Sequence, residues 1–291
     1  MTARVDVLIP TLARPAALAI TLTALAAQTH RDFRVVISDQ SDDAGTLRAP
    51  ELQTPLRLLR ALGYEIEIHR HLPRRGMAEQ RQFLLDRASA SYALFLDDDI
   101  ILERDGIERM QRAIEEEHCG FVGCAAHGLS YVHEERPHQQ HIEFWEGPVE
   151  PEHIEPGGPA WPRHHLHSAA NLFHVQRRLG ITADRQRKYR VAWVGACVLY
   201  DTRKLRAAGG YDFWAALPQE HCGEDVLAQL RVMARYGGCG LIPSPAYHQE
   251  LPTTVHDRRV DAPFALRHLH ESFAPRSLRC PLLAAHERTP A

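Results

Sequence analysis

The chain has 291 residues, a formal net charge of −3, and 44% hydrophobic and 24% charged residues, which is the composition of an ordinary globular protein. This balance gives no electrostatic footprint for nucleic acid or an anionic membrane, so we expect no nucleic-acid partner. No run approaches the roughly 18 apolar residues that span a bilayer, so we expect no transmembrane segment, while peripheral contact with a membrane stays open.

The first 128 residues alternate short apolar runs with helical patterns. Residues 5–10 are typical of a strand, and Pro15 begins a helix with Leu18, Leu22 and Leu25 on one face. Strands separated by helices favour βαβ units and a mostly parallel sheet. Further along, the same patterns predict strands at 33–39, 64–71, 92–100 and 120–126, and helices at 56–63, 76–89 and 104–118.

The strand predicted at 92–100 ends on three adjacent aspartates, Asp97, Asp98 and Asp99. Ligands of open α/β sheets bind at the carboxyl edge, where such side chains collect. Adjacent carboxylates repel, so we expect a raised pKa unless a cation or buried Arg lies between them. Their oxygens suit Mg²⁺ or Mn²⁺, ions that usually also hold substrate phosphates. The alternative is a solvated turn or helix cap.

Two other predicted strands end at polar positions, one at Pro10–Thr11 and one at Asp39. Since parallel strands place their carboxyl ends at the same edge, we expect these residues to converge with the aspartates.

An arginine interrupts the apolar stripe of the helix predicted at 76–89. Arg81 lies three, four and seven positions before Leu84, Leu85 and Ala88, and therefore on the same face. An Arg on such a face needs an anionic partner or must reach the surface. Two alternatives stay open: a structural pair with the aspartates, or contact with a phosphate of a ligand.

Residues 129–190 interrupt the alternation. The segment is rich in Pro and Gly, and ten of the 19 histidines lie within 118–174. A long irregular segment in a compact chain is usually functional or mobile, so we expect a solvent-facing substrate loop. Structural zinc at His164, His165 and His167 is disfavoured, because their spacing matches no zinc template and no cysteine lies nearby.

Regular patterns return at residue 191, with a predicted strand at 191–201 and a short helix after it. A second helical stripe follows Glu224 and Asp225, which would lie in its first turn, where the helix dipole favours carboxylates. The alternative is simple helix capping, although a carboxylate held there can also act as a general base. The strand predicted at 240–248 ends at His248.

The order of these motifs resembles family 2 glycosyltransferases with the GT-A fold. Each motif is weak alone, but seven in the family's order make a strong case. The resemblance covers about residues 4–248. The matching motifs are VLIPT (7–11), Asp39, GMAEQR (76–81), FLDDD (95–99), WVGACVLYDTRKLRAAGGYD (193–212), GEDVLAQLR (223–231) and PSPAYH (243–248).

The resemblance implies a single α/β domain of the GT-A type, with a mostly parallel Rossmann-like sheet, helices on both faces and a long inserted loop region. It implies a nucleotide-sugar-binding half at 1–128, an acceptor-side insertion at 129–190, an acceptor and catalytic half at 191–250, and a C-terminal tail at 251–291.

The resemblance also implies a role for each matching residue. Pro10, Thr11 and Asp39 would line the nucleoside pocket, while Arg81, Asp97 and Asp98 would contact the donor. Asp99, with Asp97 and His248, would hold Mn²⁺ or Mg²⁺. Asp225, with Glu224 beside it, would be the base of an inverting transfer.

The implied enzyme is a hexosyl- or N-acetylhexosaminyltransferase that uses a nucleoside-diphosphate sugar, foremost a UDP-sugar, and a saccharide or other hydroxyl acceptor. Trp145, Trp161 and Phe144 could stack on a sugar ring or anchor the insertion. The absence of a QxxRW motif after Asp225 argues against a processive synthase. Two alternatives are a sugar nucleotidyltransferase and a catalytically inactive nucleotide- or carbohydrate-binding module.

The cysteine pattern bears on the compartment. The six cysteines form no CxxC pair, and several lie in strand-like runs, so we expect reduced and mostly buried thiols. The N-terminal residues enter a strand at once and lack the apolar core of a signal peptide. We therefore expect a cytoplasmic protein.

Overall fold

The computed structural model describes residues 4–271, in which strands and helices alternate. The strands are β1 (Val5–Thr11), β2 (Phe33–Asp39), β3 (Ile66–Arg70), β4 (Tyr92–Leu96), β5 (Ile100–Leu102), β6 (Phe121–Gly123), β7 (Arg187–Tyr189), β8 (Cys197–Asp201), β9 (Gly238–Ile242) and β10 (Ala246–His248). The helices are α1 (Pro15–Ala26), α2 (Pro50–Ala61), α3 (Met77–Arg87), α4 (Gly106–Glu117), α5 (Asn171–Leu179), α6 (Thr202–Ala207), α7 (Glu224–Tyr236), α8 (Ala262–Ala265) and α9 (Arg267–Glu271).

Eight of these strands form one sheet in the order β3-β2-β1-β4-β8-β6-β9-β7. Parallel pairs join β1 to β2 and β4, β2 to β3, and β6 to β9. The strand β8 runs antiparallel to both of its neighbours, and β7 runs antiparallel to β9. The expectation of one α/β domain with a mostly parallel sheet is therefore confirmed.

Helices cover both faces of the sheet, because successive strand residues point to opposite sides. On one face, Leu8 of β1 is buried with Leu84 of α3 and Leu230 of α7. On the other face, Ile9 of β1 is buried with Leu22 of α1. Burying such a side chain fully contributes about 1.5–3 kcal/mol relative to leaving it exposed. The two packed faces hold the sheet, and with it the strand ends, in a fixed place.

The carboxyl ends of three strands meet at one edge, as the sequence predicts. In the parallel pairing of β1 with β2, Thr11 lies opposite Asp39. On its other side, β1 places Leu8 opposite Phe95 of β4, so the aspartates that follow β4 lie beside the end of β1.

The antiparallel strand β8 brings a further segment to this edge. Its first residue, Cys197, pairs with Leu96 at the end of β4, and the Asp97 amide donates to the Ala196 carbonyl over 2.9 Å. The strand predicted at 191–201 is therefore too long. Ala196 has a φ of +70°, a left-handed conformation that cannot continue a strand.

The strand predicted at 92–100 also divides. The chain turns after Leu96, and β5 pairs with β10 in a separate antiparallel ribbon, where His248 lies opposite Ile100. The strand predicted at 240–248 divides as well, since Pro243 has no amide hydrogen to donate to a neighbouring strand. The ribbon places His248 beside the aspartates.

Residues 129–190 are more ordered than their composition suggests. They contain α5 and β7, and β7 joins the edge of the sheet beside β9. Tyr189, Leu166 and Leu172 are buried. A few apolar anchors among many polar and Pro or Gly residues are enough to pack the segment, which is why its sequence looks like that of a loop.

The remaining expectations on composition can be compared within residues 4–271. The five cysteines described there are free; Cys222 is half-buried and the other four are buried, as expected. Cys280 and residues 272–291 of the expected C-terminal tail lie outside the described residues. Among the described helices, none has both the length and the apolar character required to cross a membrane.

Gly76, at the start of α3, lies against the segment that precedes α7. Its φ is +104°, and an added Cβ would lie 2.5 Å from His221 Cε1 and 2.6 Å from the Gln219 carbonyl oxygen. The ring of His221 approaches closely because its Nε2 accepts the Ala78 amide over 3.1 Å, at the first turn of α3. Only glycine leaves room for this capping contact.

We predict that Gly76→Ala lowers the free energy of unfolding by about 3 kcal/mol, because it combines a left-handed backbone with a clash against a carbonyl. Gly63→Ala is the matched control, since Gly63 has a φ of +90° but, apart from its chain neighbours, no atom of the residues described lies within 4 Å of an added Cβ. We expect this control to cost about 1 kcal/mol. Urea denaturation of both variants measures the difference, and equal losses would contradict the close contact.

Candidate active site

A cavity of about 440 Å³ opens at the carboxyl edge of the sheet. Of the ten residues to which the resemblance gives a role in the donor, metal or catalytic site, nine line this cavity. Residues from the first 100 positions and from positions 224–248 therefore meet in one place. They are Pro10, Thr11, Arg81, Asp97, Asp98, Asp99, Glu224, Asp225 and His248.

Asp98 and Asp99 lie against the end of β1. The Thr11 hydroxyl donates to Asp98 over 2.6 Å. One guanidinium nitrogen of Arg14 lies 2.8 Å from Asp99 and 3.5 Å from Asp98. Burial raises the pKa of Asp98 to about 6, although the Thr11 hydrogen bond opposes this. A cation thus separates the last two aspartates, as their repulsion requires.

Arg14 is a site residue that the sequence reasoning missed. Besides its ion pairs, it donates a hydrogen bond to the Pro252 carbonyl, so it links the aspartates to the chain beyond β10. Its position in the sequence could have indicated this role, because it is the one basic residue in the loop that follows β1.

Asp97 faces a different cation. Arg81 donates through Nη2 to Asp97 over 3.1 Å and through Nε to Glu224 over 2.9 Å. Burial lowers the pKa of Arg81, but the carboxylates of Asp97 and Glu224 outweigh it and raise that pKa well above its ordinary value. Burial raises the pKa of Asp97, and Arg81 opposes the rise.

Arg81 therefore forms a structural ion pair with one of the aspartates, which is one of the two alternatives that its position in the sequence leaves open. Arg81 also lines the cavity, and its contact with a phosphate stays a prediction. Glu224 is 5% exposed and held by Arg81, so it is placed to position its neighbour Asp225.

Asp225 lies at the first turn of α7 and is half-buried. Its Oδ1 accepts the amide of Val226 over 2.9 Å. Burial, followed by the like charge of Glu224, raises the pKa of Asp225 to about 7, while Arg81 opposes the rise. A carboxyl that exchanges its proton near neutral pH at the wall of a cavity can act as a general base.

Asp39 is the exception among the ten residues, because it does not line this cavity. It is fully buried, and its Oδ1 accepts the Ser41 amide over 3.0 Å. Its Oδ2 has no hydrogen-bond partner among the described residues, and neither has Nε2 of the adjacent Gln40. Gln40 lines a neighbouring cavity of about 530 Å³, which shares Arg14 with the first.

The segment after β10 closes one side of both cavities. Asp261 forms a bridge with Cys222, and the Cys222 amide donates to the Val260 carbonyl over 2.9 Å. An added Cβ on Gly223, with its φ of +73°, would lie 2.1 Å from Asp261 Oδ1. The sequence reasoning treated 251–291 as a tail, but residues such as Thr254 form part of the site.

Two side chains at this edge of the sheet could together bind a divalent cation. Asp99 Oδ2 and His248 Nε2 lie 3.6 Å apart and line the same cavity. Within residues 4–271, no group of three or more His, Cys, Asp or Glu side chains could together hold an ion. Two protein donors suit an ion that takes its other ligands from substrate phosphates and water. Asp97, expected as a third ligand, also pairs with Arg81 through Oδ1, and its contact with a cation stays a prediction.

The comparison that decides the family is one of sequence. The sequence model described as Glycosyl transferase family 2 matches residues 6–179, more than half of the chain. This chain belongs to that family. No curated protein sequence matches it.

Solved structures show that this family member has the GT-A fold. TarS from S. aureus covers 97% of the chain at 17% identity with a TM-score of 0.56, and the chain spans 41% of TarS. TarS 1–349 in complex with UDP-GlcNAc covers 93% at 15% identity with a TM-score of 0.60, and the chain spans 65% of it. The mannosyltransferase PcManGT from Pyrobaculum calidifontis, in complex with GDP-Man and Mn²⁺, covers 99% at 15% identity with a TM-score of 0.51, and the chain spans 76% of it.

We predict that Arg81→Met lowers the free energy of unfolding by about 3–5 kcal/mol at pH 8, because it leaves the buried Glu224 and the half-buried Asp97 without their counter-ion. The loss should shrink as the pH falls to 4, because burial raises the pKa of Asp97 and this carboxyl then takes up a proton. Arg87→Met, on the same helix, is the control and should cost less than about 1 kcal/mol.

The double variant Arg81→Met/Glu224→Gln should recover part of the stability, since it removes one of the unpaired charges. Urea denaturation at both pH values measures these differences. A loss for Arg81→Met that is equal at pH 4 and pH 8 would contradict the ion-pair account.

Proposed function

We propose that this protein transfers a hexosyl or N-acetylhexosaminyl group from a nucleoside-diphosphate sugar to an acceptor hydroxyl, with inversion at the anomeric carbon. The observation that carries this proposal is the position of Asp225. Its carboxyl, with a pKa near 7, lines the same cavity as the aspartates at the end of β4. A base for an acceptor hydroxyl and a site for phosphates thus share one space.

The donor is proposed to lie across the two joined cavities. TarS 1–349 binds UDP-GlcNAc and PcManGT binds GDP-Man, and both share the fold of this chain. A UDP-sugar is favoured by Asp39 and Gln40, two successive residues of which one has an acceptor and the other a donor without a partner among the described residues. The imide edge of uracil presents the matching donor and acceptor. The diphosphate would then reach Arg14 and Asp99.

In the transfer step, Asp225 takes the proton of the acceptor hydroxyl. The acceptor oxygen forms a bond to the anomeric carbon while the bond from that carbon to the diphosphate oxygen breaks. The nucleoside diphosphate leaves with the electron pair of the broken bond. A single displacement of this kind inverts the anomeric centre, and Glu224, fixed by Arg81, holds Asp225 in place.

Asp99 and His248 would hold a divalent cation beside the diphosphate. Such a cation, when bound, offsets the charge that develops on the departing phosphates. The chain would orient the side chains of Asp99 and His248 towards this cation. The pairing of β5 with β10, in which His248 lies opposite Ile100, would set their relative positions. The Gln249 amide donates to the Asp99 carbonyl over 2.9 Å and ties the two ligands together.

The first prediction from this proposal concerns Asp225→Asn. The amide keeps the shape but cannot accept a proton at neutral pH, so we expect turnover to fall about 10²–10⁴-fold with donor affinity unchanged. In the wild type, the deprotonated fraction rises with pH, so kcat should rise about tenfold per pH unit below pH 6 and level off above pH 8. Stopped assays of transfer, with product configuration by NMR, measure both.

A stability measurement checks the same group without activity. Because the folded state holds the proton of Asp225 more tightly than the unfolded state, this carboxyl destabilises the fold as pH rises from about 4 to 7. Asp225→Asn should therefore unfold at a higher temperature than wild type at pH 8, but not at pH 4. Retained configuration, or turnover within a few-fold of wild type, would rule out the proposed base.

A further prediction concerns the cation. We expect UDP affinity, measured by calorimetry, to fall about tenfold or more when EDTA replaces Mn²⁺, and this difference to be largely lost in His248→Ala. His256→Ala is the control, because His256 lines the second cavity and should leave the Mn²⁺ response intact. An unchanged Mn²⁺ response in His248→Ala would contradict the assignment of His248.

The same measurements separate the alternatives. A transferase leaks slowly in hydrolysing its donor, whereas an inactive binding module binds UDP without turnover. A sugar nucleotidyltransferase would instead consume a nucleoside triphosphate and release pyrophosphate.

A further inference from the structure

Aromatic rings form one wall of the cavity that holds Asp225. Trp161 and Trp193 both line this cavity. The Trp193 ring stacks on His164 at 5.3 Å between centroids and 16° between planes. His164 also contacts Trp161 at 5.7 Å, and Trp161 packs edge-on against Phe264 at 5.6 Å. These ring contacts therefore join three parts of the chain: the insertion at 129–190, the segment before β8, and the helix α8.

Trp193 lies close to the proposed base. The point that a Cβ on Gly195 would occupy is 3.7 Å from Trp193 Cζ3 and 4.0 Å from Asp225 Oδ2. Apart from the chain neighbours of Gly195, no other atom of the described residues approaches this point within 4 Å. The edge of an aromatic ring and a carboxylate oxygen thus face a common space that the missing side chain of Gly195 leaves open.

A buried amide fixes Trp193 relative to Asp225. Gln229 accepts the Val194 amide through Oε1 over 2.8 Å and donates through Nε2 to the Val194 carbonyl over 2.7 Å. Gln229 is fully buried and lies one turn after Asp225 on α7. One helix therefore positions both the base and the peptide next to Trp193.

The backbone beyond this point is held in an uncommon conformation. Ala196 has a φ of +70°, a conformation that is unfavourable for a non-glycine residue, and its carbonyl accepts the Asp97 amide. Segments held in such conformations cluster at functional sites. The segment from Trp193 to Ala196 is thus fixed at both ends, by Gln229 at Val194 and by the Asp97 amide at Ala196.

We propose that Trp193 is the platform for the acceptor and that this acceptor is a neutral saccharide, an inference that rests on the proposed function. A pyranose ring has an apolar face of C–H groups that packs on an indole, while its hydroxyls project from the edge. A ring stacked on Trp193 directs such a hydroxyl towards Asp225 across the space at Gly195. The carboxylate of Asp225, which faces this space beside Trp193, disfavours an anionic group there.

The test uses transfer from UDP-GlcNAc and UDP-glucose to three neutral disaccharides, cellobiose, N,N′-diacetylchitobiose and lactose, and to glycerol 3-phosphate, a polyol phosphate without a ring. Three variants are compared with wild type. Trp193→Ala removes the platform. Gly195→Ala fills the space with a methyl group in ordinary contact, at a position without a left-handed φ. Trp214→Ala is the control, a half-buried Trp that lines neither cavity. Donor hydrolysis by water is measured in parallel.

We expect a disaccharide to be the better acceptor in wild type. Trp193→Ala and Gly195→Ala should each raise its KM about tenfold or more, while donor hydrolysis and the Trp214→Ala variant change less than about twofold. Unchanged acceptor KM in both site variants overturns the platform, and so does transfer to glycerol 3-phosphate alone, although the proposed function then stands. Absence of both donor binding and hydrolysis in wild type would instead refute the proposed function, and this inference with it.

Discussion

The site depends on one buried guanidinium. Arg81 holds Asp97, which follows the fourth strand, and Glu224, which opens the last long helix and lies 143 positions beyond Arg81 in the chain. Two carboxylates and an arginine at this depth are expensive to desolvate, and only their mutual hydrogen bonds offset that cost. The arrangement stabilises the fold little in net terms, but it fixes the distance between the end of β4 and the start of α7 at the cavity.

Other contacts also join distant parts of the chain at this site, and these use hydrogen bonds without an ion pair. His221 caps the helix that carries Arg81, and Gln229 clasps the peptide of Val194. Each contact comes from a residue near or on the last long helix and reaches a segment of another part of the chain. That helix is therefore the element against which the rest of the site is aligned.

Much of this could be predicted from the sequence, and the reason is local. Strands such as β1 and β4 are continuous apolar runs, and their ends carry the polar residues, so a parallel sheet places Thr11, Asp39 and the aspartates at one edge. The stripe that contains Arg81 signalled a buried charge with an anionic partner. The positions of these residues follow from periodicity and topology alone.

The parts that could not be predicted depend on contacts distant in sequence. No local pattern indicates that Arg14 lies between two aspartates, or that Cys222 pairs with Asp261 in the presumed tail. The strand boundaries at 97 and 196 were misplaced because apolar residues continue past the point where a hydrogen bond to another segment turns the chain. The insertion at 129–190 looked irregular since its few apolar anchors pack against elements elsewhere in the chain.

The two bonds of Arg14 have a consequence for how the cavity fills. The same guanidinium neutralises Asp99 and donates to the carbonyl of Pro252, which lines the neighbouring cavity. A positive charge that competes for Asp99 therefore weakens the hold of Arg14 on the segment after β10, and a shift of that segment loosens the counter-ion of Asp99. By reciprocity, the two events share one coupling free energy, so the charge beside Asp99 and the position of that segment are linked.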